Sequence, residues 1–224
     1  MPFTLLLLFV ESHFAPLLRA DNGARDGLHS YALTHPFFVT LMRIASNSGS
    51  ALAWQVVTVV LAAALLWRRQ IRLALFVIIT NLGSSLINGF VKTATNRARP
   101  VVAHPLLHEP GKSFPSGHAQ AAIVGYGVLL LVVLPYLHGA WRRVVVAVAV
   151  FMVLAIGFSR VALAAHYISD VLAAYLLGLA WVAVMASVFH VWRRAKASAP
   201  PEGATVPDPE RRSDPSTEPG SLTS

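Results

Sequence analysis

The sequence predicts an all-α bundle that crosses a membrane several times. Long apolar segments bounded by charge, Pro or Gly, a mean hydropathy of +0.60, and charged residues at only 12% of 224 positions carry that reading. A hydrocarbon layer about 30 Å thick takes about 20 helical residues to cross. Five segments approach that length, 51–67, 71–91, 119–137, 144–160 and 168–192, and give five spans.

A sixth, short first span is expected within Pro2–Leu18, where Leu5 to Val10 is strongly apolar but Glu11 and His13 interrupt. The competing reading is a signal-like segment, though the basic leader of a secretory signal is missing. Either way Asp21 falls on the far side of the membrane. Leu28 to Ser48 mixes Tyr31, Phe37, Phe38, Leu41 and Met42 with polar residues, which fits a segment lying at the interface. A surface helix broken at Pro36 fits equally well. Residues 1–196 thus form one transmembrane domain. After Lys196, six prolines, five acids and many Ser and Thr leave too little apolar surface to offset ordering entropy, so 197–224 is expected to be a disordered tail.

Arg68, Arg69, Arg72, Arg142, Arg143, Arg193, Arg194 and Lys196 occupy very short turns that face the cytoplasm if the N-terminus is inside. The opposite side also holds eight basic residues, Arg19, Arg25, Arg43, Lys92, Arg97, Arg99, Lys112 and Arg160, spread through longer loops. The counts tie, and density decides: the tail is expected in the cytoplasm and the second group outside. A net charge of +8 admits nucleic acid as a partner, but these cations sit at the ends of apolar segments and not along one soluble face, so membrane and phosphate fit better. With no cysteine, disulfides and thiolate metal sites are excluded.

Three stretches place polar chemistry beside apolar helices. Lys92 ends the third span, and Arg99-Pro100 follows in a loop that can turn both cations to one point. A guanidinium fork and a compact ammonium neutralise a phosphate from two directions. Pro115-Ser116-Gly117-His118 opens the fourth span with Ser116 at the N-cap, where free amides attract anions. Ser159-Arg160 ends the fifth span. His166 then begins the sixth, with Asp170 four residues on, a spacing that puts imidazole and carboxylate on one helical face. A carboxylate so placed fixes the tautomer and leaves the other ring nitrogen as a nucleophile.

Lys-x6-Arg-Pro, Pro-Ser-Gly-His and Ser-Arg-x5-His-x3-Asp, eleven fixed positions in order, resemble the three signature motifs of the type 2 phosphatidic acid phosphatase superfamily, the integral-membrane lipid phosphate phosphatases. The likeness covers Lys92 to Asp170 by motif and about 20–192 by helix pattern. The resemblance implies that Lys92, Arg99, Ser116, Gly117 and Arg160 bind phosphate, that His118 is acid and base, His166 the nucleophile and Asp170 its partner. It implies hydrolysis of a lipid phosphate or isoprenoid pyrophosphate through phosphohistidine, with no metal and no other cofactor. The substrate class that goes with the resemblance is undecaprenyl pyrophosphate or phosphatidylglycerol phosphate, and the short loop from Lys92 to Ser116 favours a small bacterial-type enzyme and a modest headgroup. The alternatives are a phosphotransferase that uses another acceptor, and a nonenzymatic lipid-binding or transport protein, for which a paired nucleophile and acid would be superfluous. The haloperoxidases that share the motifs use bound vanadate, and this membrane-embedded chain looks unlike them.

Outside the motifs, Asn81, Ser84, Ser85 and Asn88 form a polar stripe expected to hydrogen-bond between helices, with a wet passage as the lesser reading. Ala174 and Gly178 are expected to let two helices pack closely. Arg97 reads as a solvated loop arginine, with help to a second phosphate as the lesser reading, and His104 and His108 as bystanders.

Overall fold

A computed structural model describes residues 2–197, with side chains through residue 190. The chain divides into two compact units, 1–189 and 190–224, and the fold and site below belong to the first. The tail expected over 197–224 lies outside the described residues except for Ala197.

Every described element is a helix: α1 Pro2–Glu11, α2 Ala15–Thr34, α3 Pro36–Ser48, α4 Ala51–Trp67, α5 Ile71–Thr95, α6 Gly117–Val133, α7 Gly139–Ala162 and α8 Ile168–Ala197. A short 3-10 turn, Leu134–Tyr136, extends α6. Four helices, α5 to α8, are long and apolar enough to cross a membrane, and the count reaches six if each of two bent pairs is one span. The α1–α2 pair bends by 88° and the α3–α4 pair by 42°. The apolar run before Glu11 is therefore a ten-residue helix turned nearly square to its successor. The break expected at Pro36 is present, because Pro is tolerated in the first turn of α3 but cannot continue α2.

Successive helices joined by short turns run antiparallel, and α4 packs on α5, α5 on α6, and α6 on α7, with α3 also against α7. This alternation brings the C-terminal ends of α5 and α7 and the N-terminal ends of α6 and α8 to one end of the bundle, here called the site end. Below it, Phe76, Val77, Val124, Val128, Val182 and Met185 form a dry core. At Gly178 the α8 backbone lies close to α6 side chains: a Cβ there would stand 2.4 Å from Ile123 Cγ2, so any other residue would force that side chain to move. Ala174, one turn away, is fully buried. The small-residue pair is thus spent on packing within the chain.

Candidate active site

Four helix ends and two loops build the site. α5 stops at Asn96, whose left-handed backbone, φ 50°, lets its N–H bond the Lys92 carbonyl and turns the chain back over the bundle. The loop that follows is pinned by Arg43 of α3, which donates to the Leu106 carbonyl at 3.1 Å. Ser116 caps α6 as expected, its Oγ accepting from Ala119 N, and its own N–H bonds the Asp170 carbonyl at 3.0 Å. That backbone link ties the second motif to the third.

His166 does not begin the sixth span. It precedes α8 by two residues, in a turn where Ala164 takes a left-handed backbone, φ 54°, and the amides of Ala165 and His166 both bond the Arg160 carbonyl. The imidazole and Asp170 still meet, with Nδ1 3.4 Å from Oδ2, but through this turn and not through helical spacing. Asp170 Oδ2 also accepts from Tyr167 N at 2.9 Å and from the Ser113 hydroxyl. Arg99 Nη1 lies 3.2 Å from His166 Nε2. A guanidinium only donates, so Nε2 holds a lone pair and Nδ1 carries the proton facing Asp170. Complete burial pushes the His166 imidazole down to about 4; the Asp170 hydrogen bond and charge oppose the shift, and Arg160 and Arg99 add to it. The ring is neutral at pH 7.

A cavity of 820 Å³ opens beside this turn. Lys92, Arg99, Gly117, His118 and His166 line its head together with Glu109. A Cβ on Gly117 would stand 3.7 Å from Lys92 Nζ, which places the ammonium directly against the start of α6. Arg160, Ser116 and Asp170 are 1%, 0% and 0% exposed and stand in the layer behind. Arg160 reaches forward through its Nη2, 2.5 Å from Glu109 Oε1, and sideways to Ser46 Oγ at 2.5 Å. Its buried Nε has no hydrogen-bond partner among the described residues, and its Nη2 meets Glu109 as an ion pair without hydrogen-bond geometry.

Glu109 escaped the sequence reading. Its Oε2 pairs with Arg99 at 3.0 Å while Oε1 takes Arg160, so one carboxylate spans two of the expected phosphate-binding cations. Burial alone would raise its pKa; the Arg160 charge and close contact, with His118 and Arg99, outweigh that and hold it below the ordinary value. Arg97 is a correction. It is not a solvated loop arginine: its side chain is 12% exposed and forked between Asp21 and Asp170 at 2.8 and 2.6 Å. Ser113 and Ser169, both fully buried, were missed with it, as were Ser46 and Gln120.

From its head the cavity descends between α4 and α5, past Trp54, Thr58, Ala62 and Leu66 on one side and Asn88, Ser85, Asn81 and Ile78 on the other. Fourteen residues of α5 separate Lys92 from Ile78, about 21 Å of helix. Half of the polar stripe serves the expected interhelical bonding, and the whole of it faces the cavity. Asn88 and Ser84 bond Gln120 across to α6 at 2.8 and 3.0 Å, while Asn81 and Ser85 bond back to their own helix, and all four line the cavity.

An all-helical membrane bundle with two histidines and a cluster of cations at one helix-end cavity defines a class, the integral-membrane phosphatases. A profile of the PAP2 superfamily matches residues 71–194, and the chain belongs to that superfamily. It is 30% identical over 183 residues to phosphatidylglycerophosphatase B of Bacillus subtilis (strain 168), covering 80% of this chain and 89% of that protein. Its fold is similar to the crystal structure of a transmembrane PAP2-type phosphatidylglycerolphosphate phosphatase from Bacillus subtilis, with a TM-score of 0.75 at 24% identity over 84% of this chain and 94% of the other. The crystal structure of Aquifex aeolicus LpxE follows, with a TM-score of 0.59 at 21% identity, over 78% and 96% of the two chains.

Proposed function

We propose that this phosphatase hydrolyses a lipid phosphate or isoprenoid pyrophosphate, of the phosphatidylglycerol phosphate or undecaprenyl pyrophosphate class, through a phosphohistidine on His166. The observation that carries the reading is that His118 and His166 line one cavity with Lys92, Arg99 and Gly117, and that this cavity runs on down the bundle between α4 and α5. The phosphate sits at the head and the chain lies below, where Val59, Ala62, Ala63, Leu66 and Leu82 make an apolar wall. The Bacillus relative's name supports the phosphatidylglycerol phosphate class.

The arrangement of the residues supports the following course of reaction. Lys92, Arg99 and the free amides at the start of α6 hold the phosphate oxygens, and Ser116 and Arg160 support them from behind. The anion takes the place of the Glu109 carboxylate between Arg99 and Arg160, which gives the orphaned side of the buried guanidinium its partner. His166 Nε2 attacks phosphorus in line; an N–P bond forms as the bond to the leaving oxygen breaks, and His118 gives that oxygen a proton. Asp170 stabilises the ring as it gains charge. Water, losing a proton to His118, then breaks the N–P bond and frees phosphate. No step calls on a metal. The density of arginines in the turns at the opposite end supports a site on the extracytoplasmic face.

Phosphate release in detergent tests the proposal, with phosphatidylglycerol phosphate, undecaprenyl pyrophosphate and phosphatidic acid compared in the presence of chelator. Activity is expected to persist in chelator and to favour one of the first two. His166→Ala is expected to abolish release, and acid-labile labelling of the parent protein by radiolabelled substrate should vanish with it. A His166→Ala protein that turns over at the parent rate sinks the assignment.

A further inference from the structure

The carboxylate proposed to orient the nucleophile is itself held by Arg97 and, through Arg97 and Ser169, by Asp21 near the start of the sequence. Arg97 Nη1 donates to Asp170 Oδ1 at 2.6 Å and to Ser169 Oγ at 2.7 Å, and its Nη2 donates to Asp21 Oδ2 at 2.8 Å. Asp21 also accepts from Ser169 N at 2.9 Å and from Ser169 Oγ at 2.5 Å. Asp21 is 1% exposed and Asp170 is 0% exposed. The guanidinium lies over the Tyr167 ring, 4.4 Å from its centroid, so packing as well as charge fixes its plane. Two buried carboxylates therefore share one cation, and every oxygen of both has a donor.

We infer that Asp21 and Arg97 are positioning residues, which lock the Asp170 carboxylate against His166 and so set the nucleophile's ring for attack. The reading rests on the proposed roles of His166 and Asp170. Neither residue is among those that line the cavity, so neither touches the phosphate. Asp21 stands on α2, outside the stretch 71–194 that carries the superfamily match, so the N-terminal helices complete the site from behind. The electrostatic logic is specific. With Arg97 present, Asp170 keeps its charge and its orientation beside a second carboxylate. Without it, two buried carboxylates face each other with no cation between, and one must take up a proton or swing away. Removing Asp21 at the same time deletes the second carboxylate and relieves that conflict.

The test is a charge-compensating cycle on the full chain in detergent, read as kcat and KM for phosphate release from phosphatidylglycerol phosphate, with folding followed by gel filtration and melting. Arg97→Gln is expected to lower kcat roughly 10- to 100-fold with KM kept within about twofold, the size of effect usual for a group that orients a first-contact ligand. Asp21→Asn/Arg97→Gln is expected to regain about tenfold of that kcat. A double variant no faster than Arg97→Gln overturns the inference, because a merely structural tie would be weakened twice. An Arg97→Gln protein with normal kcat, or one that loses KM alone, overturns it as well, the latter by making Arg97 a substrate contact. Should Arg97→Gln not fold, Asp21→Asn decides: with Arg97 retained, kcat is expected to fall several-fold at constant KM, and an unchanged kcat overturns the inference. His166→Ala, assayed in parallel, separates the two readings. Residual turnover there counts against the phosphohistidine proposal, whereas a dead His166→Ala beside a normal Arg97→Gln counts against this one alone.

Discussion

The two ends of the same helices are built on different principles. In the middle of the bundle, α4, α5, α6 and α8 meet through Leu, Val, Phe and Ala whose identities are interchangeable within a volume limit. At the site end, Arg97, Arg99, Arg160, Asp21, Glu109 and Asp170 form a network in which each charge has a named partner at 2.5 to 3.0 Å. The middle is held by area and shape, and the site end by pairing. Substitutions in the first region should therefore change stability and spare chemistry, while those in the second should do the reverse.

The largest expected effect breaks the apolar region. A Cβ on Gly83 would stand 2.4 Å from Trp181 Cζ2, and the indole cannot yield freely because its Nε1 donates to the Thr80 carbonyl at 2.8 Å. Gly83→Val is expected to cost about 1–3 kcal/mol of stability by overpacking, seen as a lower melting temperature in detergent, with kcat per folded molecule unchanged. A loss of kcat at normal stability would erase the contrast between the regions. Next comes Glu109→Gln, which removes the internal anion that competes for Arg99 and Arg160. Inorganic phosphate is expected to inhibit this variant about tenfold more tightly, near 1.4 kcal/mol, with melting little altered. Weaker inhibition would mean that Glu109 helps bind the anion. The smallest effect is a position on the pH axis. In the proposed reaction His166 attacks as a neutral ring and burial pushes it from 6.5 to about 4, so the acidic limb set by the nucleophile should lie near that value, while the alkaline limb belongs to His118, which must start protonated. An acidic limb of kcat/KM near the ordinary imidazole value would show that the ring is far more solvated than its surroundings imply.

The fold was readable because membrane solvation is a strong, local signal. Segments 71–91, 119–137, 144–160 and 168–192 became α5 to α8 with ends shifted by a few residues, since apolar length alone decides a span. Residues 51–67 also became a helix, α4, but one joined to α3 as a bent pair, which hydropathy cannot register. The motif residues were legible as types in order. Their supporting contacts were not, because Asp21 reaches Ser169 and Arg97 across 148 and 76 residues of chain. One signal could have found them. The chain has ten acidic residues and five lie in the tail after Lys196, so only Glu11, Asp21, Asp26, Glu109 and Asp170 remain in the transmembrane domain. Three of those five are buried or half-buried in the network. In so acid-poor a domain, each carboxylate was a marked residue. His166 and Asp170 do meet, but not on one helical face, because the left-handed Ala164 turn before His166 has no signature in its Leu-Ala-Ala-His sequence.

The contact between Arg99 Nη1 and His166 Nε2 carries a consequence for timing. In the proposed reaction the electron pair bound for phosphorus is the one that the Arg99 guanidinium caps here, so the ring is sheathed against stray electrophiles. An arriving anion competes for the same Nη1, and as it wins that donor it strips the cap from the nitrogen beside it. Recognition and arming are then a single motion of one side chain, and a ligand too weakly charged to draw Arg99 away would dock without ever meeting an exposed nucleophile.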